Sequence, residues 1–112
     1  KYLALKPNDE NATAAMLQVM VENQQCTLAN SEAAAAARKF EPKGREVVAP
    51  IMYSWGLALE CLGEYDLAKE KFQNCASSGN AKYASYGSRQ VERMEGLKAR
   101  AEAEKKKAAQ GG

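Results

Sequence analysis

The stretch that decides the fold of this chain runs from Trp55 to Cys75 and reads WGLALECLGEYDLAKEKFQNC. Its apolar residues recur three or four positions apart on both sides of the tetrapeptide at 62–65, and that period is typical of α-helices. The residues that share a face are Met52, Trp55, Leu59 and Leu62 before the turn, and Leu67, Ala68, Lys71, Phe72 and Cys75 after it. Lys71 is the one polar member, and Gly56 and Ala58 leave room for two backbones to approach closely. The stretch therefore predicts an antiparallel helix pair, which needs stacked neighbours to bury its apolar face.

Residues 49–80 resemble a tetratricopeptide repeat, a helical hairpin of about 34 residues. The matching positions are Trp55-Gly56, Gly63-Glu64-Tyr65, Ala68 and Phe72. Cys75 takes the place of the usual alanine, and Asn80 stands where the family often has proline. The resemblance implies an all-α fold of stacked antiparallel hairpins, an α-solenoid, that serves as a scaffold for protein–protein contact and has no reaction of its own.

The whole chain is interpreted as one domain that is a piece of a longer protein. Residues 1–9 resemble the end of a preceding repeat, although a native N-terminal cap would read similarly. Residues 10–42 are interpreted as a degenerate repeat, 43–48 as a connection, 49–80 as the clear repeat and 81–109 as a long C-terminal capping helix.

The degenerate repeat is recognised by its register. The places of Trp55, Leu59, Ala68, Phe72 and Cys75 are taken in it by Met16, Met20, Ala29, Ala33 and Ala36. The run of five alanines at 33–37 combines high helix propensity with little bulk, so a partner helix can pack very close. Low-complexity disorder is the competing interpretation of this run, and the flanking Leu28 and Phe40 favour packing.

The predicted core follows from the two repeats and the start of the last helix. The side chains expected to be largely buried are Trp55, Leu59, Tyr65, Phe72, Met16, Met20 and Met94. A core of this kind needs no cofactor to complete it, and none is predicted.

Composition narrows the partners. The 112 residues carry 16 basic and 14 acidic side chains, and this balance does not favour nucleic acid. The basic run at 105–107 is interleaved with Glu102 and Glu104 and has no aromatic neighbour for base stacking. No apolar run reaches the roughly 18 residues of a membrane span, so no membrane insertion by this segment is expected. The expected partner is a protein or peptide, or a second copy of the chain.

The three cysteines, Cys26, Cys61 and Cys75, form no metal-binding pattern, and the chain has no histidine. We interpret them as small apolar residues in reduced form, which favours a reduced cytoplasmic setting. A disulfide between Cys61 and Cys75, on the two helices of one hairpin, is a less favoured alternative.

The sequence predicts no catalytic, cofactor-binding or metal-binding residue. Without histidine, acid–base chemistry would fall to carboxylates, lysine, tyrosine or cysteine, and the acidic pairs fit a solvated surface. No glycine-rich phosphate loop follows a strand pattern, and no cysteine has a base suited to activate it. The chain is therefore not expected to be an enzyme.

The resemblance implies a concave groove lined by the first helix of each repeat. The residues it assigns to partner binding are Ala14, Gln18 and Val21 from the degenerate repeat, and Tyr53, Leu57 and Glu60 from the clear one. Tyr53 is the foremost contact residue, because it lies two positions before Trp55 and so faces away from the core. This mostly apolar stripe lacks the cations with which some family members hold a terminal carboxylate. It suits an amphipathic partner helix or a neighbouring helix of the same protein, and internal coverage without any external ligand is equally open.

Two functional hypotheses follow. The first is an adaptor that binds a segment of a partner protein along the groove. The second is self-association, in which exposed repeat edges pair with another copy of the chain.

Overall fold

The computed structural model describes residues 9–111, with side chains to residue 108. Over this range the chain is helical and contains no strand. The helices are α1 (Glu10–Glu22), α2 (Cys26–Phe40), α3 (Arg45–Cys61), α4 (Tyr65–Ala76) and α5 (Ala81–Gly111), with a short 3-10 turn at Glu41–Lys43. The all-α prediction is confirmed, and a long C-terminal helix is present. The interpretation of residues 1–9 lies outside the described residues except for Asp9.

Local sequence signals set the helix ends. The carboxylate of Asp9 caps α1 by accepting hydrogen bonds from the backbone amides of Asn11, at 2.8 Å, and Ala12, at 2.9 Å. Gly63, between α3 and α4, has a φ of 79°, which glycine adopts without steric cost. Such tight turns bring successive helices back antiparallel, so α1 pairs with α2 and α3 with α4.

The beginning of α3 differs from the predicted connection. This helix starts at Arg45, so most of residues 43–48 belong to it and Pro50 lies inside it. A proline has no N–H, so the carbonyl of Glu46, four residues earlier, loses its helical partner. The side-chain amide of Asn80 donates to that carbonyl at 3.3 Å. Asn80 thus supplies the hydrogen bond that Pro50 cannot donate to this carbonyl.

Two hydrophobic clusters hold the helices together. The first lies among α1, α2 and the first half of α3 and centres on Leu17, Phe40 and Ile51. The second joins α3, α4 and α5 through Leu59, Ala68, Phe72 and Met94. Trp55 packs against both clusters. Both clusters contain residues of α3, which is therefore the central helix of the molecule.

At corresponding positions, the two helix pairs carry large and small side chains on opposite helices. In the second hairpin Gly56 faces the ring of Phe72, and a Cβ on Gly56 would lie 2.5 Å from that ring. The corresponding positions of the first hairpin carry Leu17 and Ala33, both buried in one cluster. The large residue is thus on the first helix of one pair and on the second helix of the other. This arrangement explains why the alanine run of α2 can form a core without disorder.

The burial predictions are confirmed at four of the seven positions, and the other three side chains are only half-buried. Leu59, Phe72, Met20 and Met94 are buried. The half-buried ones are Trp55, Tyr65 and Met16. Trp55 reaches only partway into the core because its indole N–H donates to Asn30 Oδ1 at 2.7 Å and the Lys71 ammonium lies 4.0 Å from its ring centroid. Lys71 is therefore a partner of the tryptophan face.

The prediction of three reduced cysteines is wrong for two of them. A disulfide joins Cys26, the first residue of α2, to Cys61, the last residue of α3, whose Cα atoms are 6.1 Å apart. Cys75 is the buried free thiol, so the alternative pairing of Cys61 with Cys75 is also wrong. Disulfides persist in oxidising compartments, and the expectation of a reduced cytoplasmic setting loses the support it drew from the cysteines.

Candidate interaction groove

A groove runs over α3 between α1 and α5, and it consists of two adjoining hollows. The first, here the apolar hollow, has a volume of about 300 Å³ and is lined by Gln18, Val21, Glu22, Leu57, Glu60 and Cys61. The second, here the tyrosine hollow, has a volume of about 440 Å³ and is lined by Asn11, Ala14, Ala15, Gln18, Tyr53, Ser54, Lys82, Tyr83 and Tyr86. Gln18 lines both, so the hollows are continuous. All six residues assigned from the sequence lie on this surface.

These six residues differ in what they can offer a ligand. Ala14 is buried, and its carbonyl accepts a 2.9 Å hydrogen bond from Ser54 Oγ, so it joins α1 to α3. Gln18 is exposed. The remaining four, Val21, Tyr53, Leu57 and Glu60, are half-buried. Gln18, Val21 and Leu57 therefore form the accessible floor between the hollows.

Tyr53 is the centre of an aromatic cluster. Its ring centroid lies 5.7 Å from that of Phe72, 5.9 Å from that of Tyr83 and 5.9 Å from that of Tyr86. Its hydroxyl accepts a 3.1 Å hydrogen bond from Gln90 Nε2. Tyr53 therefore faces the groove while also binding α5 to α3.

Glu60 is already paired. The guanidinium of Arg93 donates to both of its carboxylate oxygens, from Nη1 to Oε2 at 2.7 Å and from Nη2 to Oε1. The hydrogen bond to Glu60 raises the pKa of Arg93. The single acid of the predicted stripe is thus neutralised by α5.

The sequence reasoning missed the wall that α5 contributes. Lys82, Tyr86, Arg89 and Arg93 are four, three and four residues apart and so follow one face of that helix. Lys82 and Tyr86 line the tyrosine hollow, and Arg89 lines a smaller hollow with Tyr53, Tyr86 and Gln90. Adding 33 to 53 and 60 gives 86 and 93, so the register of α3 could have indicated Tyr86 and Arg93, while Lys82 and Arg89 correspond to no predicted groove position.

A second cleft of about 460 Å³ lies on the opposite face of α3, between α2 and α4. Trp55 and Lys71 line it together with Arg38 and Arg45. The cations Arg38 and Lys39 stand in the last turn of α2, where they complement the negative end of the helix dipole. That role accounts for Arg38 in the cleft lining without a ligand, and Lys71 is placed against the Trp55 ring.

The titratable groups offer little for catalysis. Burial raises the pKa of the Cys75 thiol to about 12, which keeps it protonated and unreactive near neutral pH. Burial also raises the pKa of Tyr83, with a smaller contribution from Cys75. Among residues 9–111, no three histidine, cysteine or acidic side chains lie close enough together to hold a metal ion.

No described helix combines the length and the apolar character that crossing a membrane requires. Comparison of the chain with protein-family models, with curated proteins and with solved structures finds no match.

Proposed function

We propose that this chain is a non-catalytic interaction module that binds a segment of a partner protein along the groove between α1 and α5. The observation that carries the proposal is the convergence of Gln18, Val21, Tyr53 and Leu57, from two different helices, on one continuous surface. Their assignment came from the resemblance to tetratricopeptide repeats, before any spatial information, and their placement on one surface supports it.

The dimensions of the groove suit a few side chains. Hollows of about 300 and 440 Å³ match the volumes of ordinary ligand sites. Tyrosine and leucine present apolar area at low entropic cost, and tyrosine is frequent among binding hot spots. An extended segment or one face of a short helix would fill the two hollows together.

The test is selection of binding peptides followed by blocking of the groove. A random peptide library displayed on phage is selected against the immobilised full chain, and the selected peptides are measured against two variants. Gln18→Arg places a long charged side chain where the hollows meet. Gln73→Arg makes the same change at an exposed position of α4, away from the groove. We expect binding to be lost with the first variant and kept with the second.

Equal binding to both variants would place the peptide site elsewhere. A selection that yields no peptide above background would remove the support for peptide binding. Thermal melts of both variants verify that each is folded as well as the parent chain.

Self-association is the second candidate, because the turn between α3 and α4 exposes two large apolar side chains. Leu62 is 39% exposed and Leu67 46% exposed. Light scattering over a range of concentrations distinguishes the candidates: a dimer that Leu62→Ser and Leu67→Ser abolish would support self-association, and a monomer at high concentration would exclude it.

A further inference from the structure

We infer that the two ends of the groove differ in charge, and that its ligand is a peptide segment of fixed direction. This segment carries an acidic side chain at the tyrosine hollow and an apolar side chain at the apolar hollow. The inference deepens the proposed function and rests on it. Lys82 and Arg89 on α5 are assigned to the acidic side chain, and Val21 and Leu57 to the apolar one.

Two cations of α5 make no ion pair with the described residues. Lys82 and Arg89 are exposed, and no carboxylate of the described residues lies within 4.0 Å of either cationic group. Arg93, one turn further along the same face, is in contrast held by Glu60. Cations that make no ion pair with the described residues can pair with a ligand carboxylate.

The surroundings of these cations are aromatic and, among the described residues, offer no competing acidic side chain. None of the residues that line the tyrosine hollow is acidic. The carboxylate of Asp9, at the start of α1, accepts hydrogen bonds from backbone amides. The Lys82 ammonium lies 5.6 Å from the Tyr83 ring centroid, and the Arg89 guanidinium lies 5.9 Å from that of Tyr86. These rings hold the cations beside the hollow.

The opposite hollow has the reverse character. Val21, Leu57 and the Cys61 end of the disulfide give it apolar surface, and its charged residues are Glu22 and Glu60. Because Arg93 neutralises Glu60, a second acidic side chain at this end would meet the like charge of Glu22, while an apolar one would lose contact with water. The charges therefore fix the direction of the ligand in the groove.

The helix geometry gives the spacing. Tyr53 and Leu57 are four residues apart on α3, or about 6 Å along the axis, and Glu60 lies roughly 10 Å from Tyr53. An extended chain covers these distances in about two to three residues. The acidic and apolar side chains of the ligand should therefore be two or three positions apart.

The experiment uses two blocked, fluorescein-labelled peptides of roughly eight residues in a glycine and serine background. The acidic probe carries two adjacent aspartates and, two positions later, a leucine; the neutral probe has asparagines in place of the aspartates. Fluorescence anisotropy with the full chain measures the dissociation constant of each. We expect the acidic probe to bind about tenfold more tightly at low salt, and the difference to shrink as salt is raised.

Variants locate the charge effect. Lys82→Gln with Arg89→Gln should weaken the acidic probe to the level of the neutral one and leave the neutral probe unchanged. The matched control, Lys106→Gln with Lys107→Gln, removes the same charge from the exposed end of α5 and should leave the tenfold preference in place. Because all four side chains are exposed, these variants should keep the parent melting temperature.

The outcomes separate the two proposals. If both probes bind equally and Gln18→Arg abolishes both, the groove binds peptides and the inference about charge is wrong. If the acidic probe is preferred but the control pair removes the preference as fully as the Lys82 and Arg89 pair, the effect is net charge and the inference is also wrong. If neither probe binds, the inference fails, while peptides selected from the random library still decide the proposed function.

Discussion

At the scale of single residues, Gly87 is the point where α5 passes closest to α4. A Cβ at this position would lie 2.6 Å from both the carbonyl oxygen of Phe72 and the amide nitrogen of Ala76. Backbone atoms cannot move aside as a flexible side chain can, so Gly87→Ala should push α5 away from α4. We expect a loss of about 1–3 kcal/mol in the free energy of unfolding, measured by urea denaturation.

Gly96, in the same helix, is the matched control. Nothing lies within 4 Å of a Cβ built there. Gly96→Ala should therefore raise stability by about 0.5–1 kcal/mol, because alanine has the higher helix propensity. If Gly87→Ala were stabilising to the same extent, α5 would not approach α4 as described.

Tyr53 is expected to contribute to stability as well as to binding. Its ring contacts Phe72, Tyr83 and Tyr86, so Tyr53→Ala should cost about 2–3 kcal/mol of folding free energy in addition to any lost affinity. Tyr53→Phe keeps the ring and removes only the hydrogen bond from Gln90, at a cost of about 0.5–1.5 kcal/mol. If Tyr53→Ala and Tyr53→Phe had the same melting temperature, the ring contacts would not be formed. Tyr53→Phe is the better variant for binding experiments.

The buried Cys75 thiol should give the protein an alkaline limit. Its pKa is raised from 9.0 to about 12, so the unfolded chain ionises first as the pH rises. The stability that the protonated thiol contributes is complete below pH 9.0 and falls as the pH rises from there toward about 12. Urea midpoints at several pH values should therefore decline more steeply for the parent chain than for Cys75→Ala. Equal slopes would contradict this assignment.

At the scale of elements, the disulfide between α2 and α3 closes a loop with a sequence separation of 35 residues. Closing a loop of this length lowers the entropy of the unfolded chain and stabilises the fold by about 3–4 kcal/mol. Reduction with dithiothreitol should lower the melting temperature of the parent chain by roughly 10–20 °C. The variant with Cys26→Ala and Cys61→Ala should melt at the lower temperature with or without reductant.

The elements that sequence predicted well are those with local signals. The apolar period and the glycine turn gave the helix pair around residues 62–65, and they identified the long last helix. The disulfide had no such signal, because Cys26 and Cys61 meet only when α2 and α3 pack together. Trp55 read as core because periodicity shows which face a side chain occupies, and not how deeply its polar edge is buried.

The groove could be predicted in part, because some of its residues follow from local spacing along the sequence. Gln18, Val21, Tyr53 and Leu57 were found from the register of one repeat laid on the other. The cations of α5 were missed because that helix was assigned only a capping role. That Arg93 neutralises Glu60 depends on how α5 lies against α3, which no spacing within one helix reveals.

At the scale of the whole molecule, α5 extends beyond the rest of the fold. The molecule measures 54 Å along its longest axis and 28 and 18 Å along the others. Side chains from Lys98 to Ala108 are exposed, and the last buried residue of α5 is Met94. Removing the chain after Lys98 should therefore leave the melting temperature within about 2 °C of the parent value and reduce only the helical circular dichroism signal.

A cut after Gln90 is the comparison, because it also removes Val91, Met94 and Leu97 from the second cluster. That shorter chain should lose cooperative melting. An equal effect of the two truncations would mean that the exposed part of α5 contacts the rest of the fold.

Because α2 carries a small residue where α4 carries a large one, neither helix can take the place of the other. If α1 took the place of α3 against α4, Leu17 would meet Phe72 and the two side chains would compete for one space; if Gly56 of α3 took the place of Leu17 against Ala33, a void would remain. The first arrangement is disfavoured by overcrowding and the second by a cavity. This difference between the two helix pairs favours a single order of helices in the folded chain.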